Sequence, residues 1–203
     1  MTLMSASKER ILPREFYARD PKTVALNLLG KVLVRILNAS CLKGVIVETE
    51  AYYGENDPAS RARDGMKRYN APMWRELGIT FIYMVHGNWL LNVVAHEPGG
   101  VGAVLVRALE PLEGIEIMMA NRGTSDIRGL TNGPGRLTKA LKVDGNMNFL
   151  DLTSNKSPLF IIDGREIDLR EIERSHRIGV RLDLNEELRF FIRGNKFVSK
   201  RRA

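Results

Sequence analysis

Val45-Ile46-Val47-Glu48-Thr49-Glu50-Ala51-Tyr52 is the run on which the fold turns. Its β-branched residues favour an extended strand. Period-two geometry sets Val45, Val47, Thr49 and Ala51 on one face and Ile46, Glu48, Glu50 and Tyr52 on the other. Two acids and a phenol on one side leave two alternatives: an edge strand with its charged face in water, or a strand whose acidic face lines a cavity. Neighbouring strands are nearly all apolar and the protein as a whole is basic, which favours the cavity. A carboxylate held there can orient and deprotonate a water, a general-base role worth about 10²–10⁴ in rate.

Working outward, the β-like pattern runs over 42–53, and 31–37 alternates around Val32, Val34 and Ile36 before the turn residues Asn38-Ala39-Ser40, so the two segments form a hairpin. Upstream, Asp20-Pro21, then Val24, Ala25, Leu28, Leu29 and Gly30 spell a capped short helix with a glycine stop. Downstream, 79–85 and 89–95 make a second hairpin around His86-Gly87-Asn88, and 103–109 is a further strand. The spacing of Leu112, Ile115 and Met119 predicts a helix over 111–120. Another is predicted over 137–141, opened by Gly133-Pro134-Gly135. Strands are expected at 159–162 and 188–192, with the charged stretch 166–174 a surface helix between them. No repeat or linker divides the chain. It therefore reads as one α+β domain over 1–203, a curved antiparallel sheet with surrounding helices, a flexible N-terminal segment 1–10 and a basic tail 196–203.

With 203 residues, 44% of them hydrophobic and 27% charged, the chain is long enough to bury roughly two-thirds of its unfolded surface, and disordered or collagenous classes drop out. A single cysteine, Cys41, excludes an intramolecular disulfide framework. His96-Glu97 is followed by Pro98 rather than a zinc-binding helix, and His86, His96 and His176 are scattered, so neither metal nor cofactor is expected. The start lacks an apolar signal core and nothing approaches a bilayer-spanning run, which points to a cytoplasmic protein, nucleoid-associated if prokaryotic. Charge gives the first hint of a partner: 31 basic against 24 acidic residues leave +7. Over 189–203 stand Arg189, Arg193, Lys196, Lys200, Arg201 and Arg202 with no acid, and 61–75 adds Arg61, Arg63, Lys67, Arg68 and Arg75. Phosphate neutralisation accounts for both clusters, and so does an ordinary solvated surface.

Taken jointly, Gly44-Val45-Ile46-Val47-Glu48-Thr49-Glu50-Ala51-Tyr52, Asp57, Phe81-Ile82-Tyr83, Gly87, Asn92 and Val104-Leu105-Val106-Arg107-Ala108-Leu109-Glu110-Pro111 resemble the alkyladenine (methylpurine, 3-methyladenine) DNA glycosylase family. Gly133-Pro134-Gly135-Arg136-Leu137, Arg177-Ile178-Gly179-Val180 and Phe191-Ile192-Arg193-Gly194 extend the likeness over the chain from about Leu12 onward. The resemblance implies a monomeric, monofunctional enzyme of base-excision repair. Its substrates would be alkylated or deaminated purines (3-methyladenine, 7-methylguanine, hypoxanthine class) in double-stranded DNA, released by hydrolysis of the N-glycosidic bond without a covalent intermediate. It assigns Glu50 to activating the water, and Arg107 and the main-chain carbonyl of Ile178 to holding it. Tyr52 and Tyr83 would stack around an everted base, and Asn92 would crowd the exocyclic amine of unmodified guanine. From position alone both tyrosines read as core or hairpin residues with satisfied hydroxyls, and only the resemblance assigns them to stacking.

Two residues depart from the family pattern. Arg61 stands where a pocket histidine is common. A guanidinium still stacks, but it only donates hydrogen bonds and carries a permanent charge, which disfavours cationic lesions relative to neutral ones such as hypoxanthine. Alternatively, Arg61 lies on a phosphate. His86 stands where the family carries a tyrosine that fills the gap left by the flipped nucleotide, and its other role is that of a turn residue. Two further functions share these features: a basic nucleic-acid-binding module that has lost catalysis, and a nucleoside hydrolase using Glu48 and Glu50.

Overall fold

A 13-residue strand, β2 (Ser40–Tyr52), is the spine of the computed structural model, which describes residues 10–199. β1 (Val32–Leu37) returns against its first half through Asn38 and Ala39, both at positive φ (48° and 65°), the two-residue turn whose twist matches a right-handed hairpin. β3 (Thr80–Val85) and β4 (Asn88–Val94) form the second hairpin through His86 and Gly87, at φ 46° and 72°. β5 (Ala103–Glu113) pairs along most of β2, giving the order β3-β4-β5-β2-β1-β6 with β6 (Leu159–Ile162) outermost. β8 (Arg189–Ile192) pairs with the stretch of β2 from Glu48 to Glu50, and β7 (Ile172–Ser175) pairs with β8. Every pairing is antiparallel, and because β2 carries β1 and then β8 beyond β5, the sheet forks and curls around its second half. The architecture is α+β, as expected.

Helices close the sheet. α1 (Arg14–Tyr17) leads into α2 (Pro21–Leu28), whose cap Asp20 accepts the Thr23 N–H at 3.0 Å and whose Val24, Ala25 and Leu28 are buried against β2. α3 (Ile115–Arg122) and α4 (Pro134–Ala140) pack on each other, and α4 on β4. The main core joins α2 to the sheet through Leu28, Leu33, Leu42, Ile46 and Leu109. A smaller one under Phe81 seats Ala62 and Met73 of the 61–74 loop.

Three expectations change. The helix expected over 111–120 begins only at Ile115, because Pro111 and Glu113 extend β5 against Gly44 and Lys43. A bulge there removes the need for the missing proline N–H, and Gly114 at φ 73° makes the break. The helix expected over 166–174 is reduced to a 3-10 turn, Leu169–Glu171, with an Asp168 capping box. Pairing of Ile172 with Ile192 turns the remainder into β7, so partner strands override the helix-like composition. Finally, the simple alternation of β2 breaks at Val47, and Ile46 joins Ala51 and Leu42 in the main core instead of sharing the carboxylate face. The N-terminal residues 1–9 and the tail residues 200–203 lie outside the described residues. No helix among the described residues is long and apolar enough to cross a membrane.

Gly30, the predicted helix stop, sits at φ 81°, and a Cβ there would meet the Arg165 carbonyl oxygen at 2.2 Å. Gly30→Ala is therefore expected to lower the unfolding free energy by about 2 kcal/mol or more in a denaturant titration. An unchanged midpoint would contradict this packing.

Candidate active site

The acidic face of β2 is built by two compensating irregularities. Between the Ile46–Leu109 and Glu48–Ala108 pairs β2 carries one extra residue, Val47. Between Glu48–Ala108 and Thr49–Val106 β5 carries one, Arg107. Bulges re-aim side chains, and this pair brings the Arg107 guanidinium to both glutamates: Nε donates to Glu48 Oε1 at 3.0 Å and Nη1 to Glu50 Oε2 at 3.1 Å. Glu48 and Glu50 are fully buried and Arg107 nearly so.

The two carboxylates differ in how firmly they are held, Glu48 by four hydrogen bonds and Glu50 by three. Glu48 Oε1 also accepts Arg189 Nε and Ser199 Oγ, both at 2.7 Å, and its Oε2 accepts the Ser199 N–H at 2.7 Å. Glu50 Oε2 accepts the Tyr52 hydroxyl at 2.7 Å besides Arg107, while its Oε1 accepts a single bond, from the Ile178 N–H at 2.7 Å. A carboxylate oxygen has room for about two donors, so Glu50 Oε1 keeps a lone pair for a further proton. Burial and the Glu50 charge push the Tyr52 phenol well above its ordinary pKa. Burial opposes the charge on Arg107, but Glu50 and Glu48 outweigh it and raise that pKa.

Arg177 supports the other side. It is buried, bonds Asp57 at 2.6 and 2.7 Å and Asp183 at 2.8 and 2.6 Å, donates to the Ala51 carbonyl at 2.9 Å, and lies 4.5 Å from the Tyr52 ring centroid. This grip fixes the loop from which the Ile178 N–H reaches Glu50. Burial works against the Asp57 charge, but the bond from Arg177 and the N–H groups of Tyr53 and Ala59 outweigh it and hold its carboxyl below the ordinary 3.8.

The expected base-pocket residues come together in part. Tyr83 stacks on Phe81 (4.9 Å, 28°), and Arg61 Cζ lies 4.8 Å from the Tyr83 ring centroid, so Arg61 stands beside an aromatic wall. Asn70, buried in the same loop, holds the Arg61 carbonyl at 2.7 Å. Burial pushes the Tyr83 phenol up while Arg61 pulls it back and the Glu50 charge adds to the rise. Asn92 is buried and donates to the Phe81 and Leu90 carbonyls at 3.0 and 3.4 Å. His86 is apart from this group, exposed at the hairpin tip, where its carbonyl accepts from Asn88 at 2.9 Å. Two open hollows of about 530 and 430 Å³ lie at Tyr53–Asp57 with Gly99–Val101 and at Val32, Val45 and Glu110; neither is lined by Glu50. Among the described residues no three His, Cys, Asp or Glu side chains group as a metal site.

Sequence reasoning assigned no role to Arg177, Asp57 or Asp183, and read Arg189 and 196–203 only as basic surface. One signal was available: two glutamates on a buried strand require buried cations to match them. Which arginines supply them depends on long-range pairing.

With this geometry in view, the chain belongs to the methylpurine-DNA glycosylase family, whose sequence model matches residues 15–196. It is 42% identical over 195 residues to a protein of Aeropyrum pernix named "Putative 3-methyladenine DNA glycosylase", covering 96% of this chain and 95% of that one. Proteins of the same name from Carboxydothermus hydrogenoformans (42% over 192 residues; 94% and 100% covered) and Koribacter versatilis (40% over 195 residues; 94% of each) are similarly close.

Because the Asp57 carboxyl lies below 3.8 in the folded protein, the unfolded chain binds its proton more readily. Its stabilisation is complete above pH 3.8 and is lost as pH falls through the lower folded value. Asp57→Asn removes one of the two carboxylates that match buried Arg177, leaving Asp183, and is expected to cost about 3 kcal/mol at pH 7, a gap that narrows below about pH 4 in denaturant titrations. Equal stability of the two proteins at pH 7 would contradict the buried pair.

Proposed function

We propose that the protein is a monofunctional DNA glycosylase that hydrolyses the N-glycosidic bond of alkylated or deaminated purines in duplex DNA, with Glu50 as general base. The observation that carries this reading is the open lone pair on buried Glu50 Oε1, on a carboxylate that accepts three hydrogen bonds where Glu48 beside it is held by four from Arg107, Arg189 and Ser199. A water accepted there would be deprotonated as it attacks the sugar C1′, with Arg107 and the Ile178 carbonyl helping to hold it. As the base departs, the sugar gains oxocarbenium character, and the same fixed anion stabilises it. No covalent link to the protein is needed.

A stacked base cannot reach an enclosed carboxylate, so the nucleotide must be everted, at a cost of a few kcal/mol. Tyr52 and Tyr83 recover part of that through stacking. Arg177 already covers one Tyr52 face, leaving the other for the base, and Arg61 either stacks with the base or yields its place on Tyr83. His86, on an exposed two-residue turn beside exposed Met84, is the group presented to the vacated position in the helix. Asn92 narrows the pocket floor against unmodified guanine. The basic surface supplies phosphate contacts, and the protein acts as a monomer without metal or cofactor, in the cytoplasm. The names of the relatives support 3-methyladenine as one substrate, and the fixed charge of Arg61 favours neutral lesions such as hypoxanthine. A nucleoside hydrolase using both glutamates fits less well, since Glu48 is already held by four hydrogen bonds from Arg107, Arg189 and Ser199. A module without catalysis leaves the Glu50 arrangement unexplained.

Glu50→Gln should abolish base release from duplexes holding single modified purines while lesion binding persists, since an amide takes no proton; retained turnover would refute the assignment. Arg61→His should shift the release profile toward cationic 3-methyladenine and 7-methylguanine over hypoxanthine, measured on one duplex panel. An unchanged profile would remove Arg61 from the pocket.

A further inference from the structure

We infer that Glu48 is a positioning residue that keeps Arg107 from closing on both oxygens of Glu50, and that Ser199, near the C-terminal end, completes this arrangement. The inference rests on Glu50 being the base, as proposed above. A guanidinium is planar, and opposite a single carboxylate it prefers two parallel N–H···O bonds. With Glu50 as sole partner, Arg107 would engage both oxygens and occupy the lone pair of Oε1. Glu48 turns the guanidinium away from that pose by taking Nε at 3.0 Å, so that Arg107 meets Glu50 through Nη1 on Oε2 alone, at 3.1 Å. Oε1 then faces a single donor, the Ile178 N–H.

Glu48 has to be immobile to hold that plane, and residues far along the chain make it so. Arg189 on β8 donates Nε to Glu48 Oε1 at 2.7 Å, and its other nitrogens hold Ser175 Oγ at 3.0 Å and the Ser199 carbonyl at 3.1 Å. Ser199 gives Glu48 both its N–H and its hydroxyl, each at 2.7 Å, and is itself buried. Ser199, read from sequence as part of the basic tail 196–203, thus reaches back to the strand that carries the base.

Base release under single turnover at saturating enzyme, alongside affinity for a duplex with a non-cleavable lesion analogue, tests this in a double-mutant cycle of Glu48→Gln with Arg107→Met. Glu48→Gln should slow release by about 10²-fold, the scale of a misplaced reacting group, with affinity nearly unchanged. In the Arg107→Met background it should add less than about twofold, because the group it acts through is gone. Ser199→Ala should show the same dependence on Arg107 with a smaller loss, and decides the matter should Glu48→Gln not fold. A folded Glu48→Gln protein, or in its place Ser199→Ala, that releases base at the wild-type rate overturns the inference. So does a loss that recurs in full without Arg107. If the wild-type protein releases no base from any lesion duplex, the reading of the site falls and this role with it. Wild-type release with an additive cycle removes the positioning role alone.

Discussion

Two carboxylates two residues apart on a strand buried along both faces are the constraint from which the rest follows. Ionised and unpaired, each would cost several kcal/mol in so dry a place. Arg107 and Arg189 offset them, one from each strand flanking β2, and Ser199 adds two further hydrogen bonds to Glu48. That requirement is met where the paired bulges at Val47 and Arg107 interrupt the β2–β5 ladder on either side of the Glu48–Ala108 pair. It also explains why β8 lies against β2 at Glu48–Glu50 and not elsewhere.

The second buried network does a different job. Arg177 ties Asp57, Asp183 and the Ala51 carbonyl into one cluster and lies against Tyr52. Through it, segments distant in sequence meet at Glu50: the end of β2, the loop after it, and the loop that presents the Ile178 N–H. Donors fixed in this way need no rearrangement when charge develops nearby, which is the physical content of preorganisation. The buried carboxylates accordingly lie on the sheet, while Arg61 and His86, the two departures from the family pattern, lie on a loop and a hairpin tip.

Local signals carried much of the fold into the sequence. The Asp20 cap and the Asn38-Ala39 and His86-Gly87 turns with their two hairpins are short-range features, and they stand in the structure as read, whereas in β1 it is Leu33 that enters the main core and Ile36 that is exposed. The acidic face of β2 was legible too, because charge on an otherwise apolar strand stands out. Register was not. A single extra residue at Val47 moves Ile46 to the core, and only the pairing with β5 reveals it. The same holds for β7, whose composition suits a helix until β8 lies beside it, and for Ser199, whose role depends on a contact 151 residues away in sequence. Bringing Arg61 beside Tyr83 likewise needs the Asn70-braced loop, which no local pattern encodes.

The most direct measurement is a crystal structure of the protein on a duplex containing a 2′-fluorinated modified purine nucleotide, which resists cleavage. The account predicts the purine everted against Tyr52 and Tyr83, and one water bridging Glu50 Oε1 to the sugar C1′ on the side away from the base. A nucleotide still stacked in the helix, or a sugar with no water between it and Glu50, would contradict it.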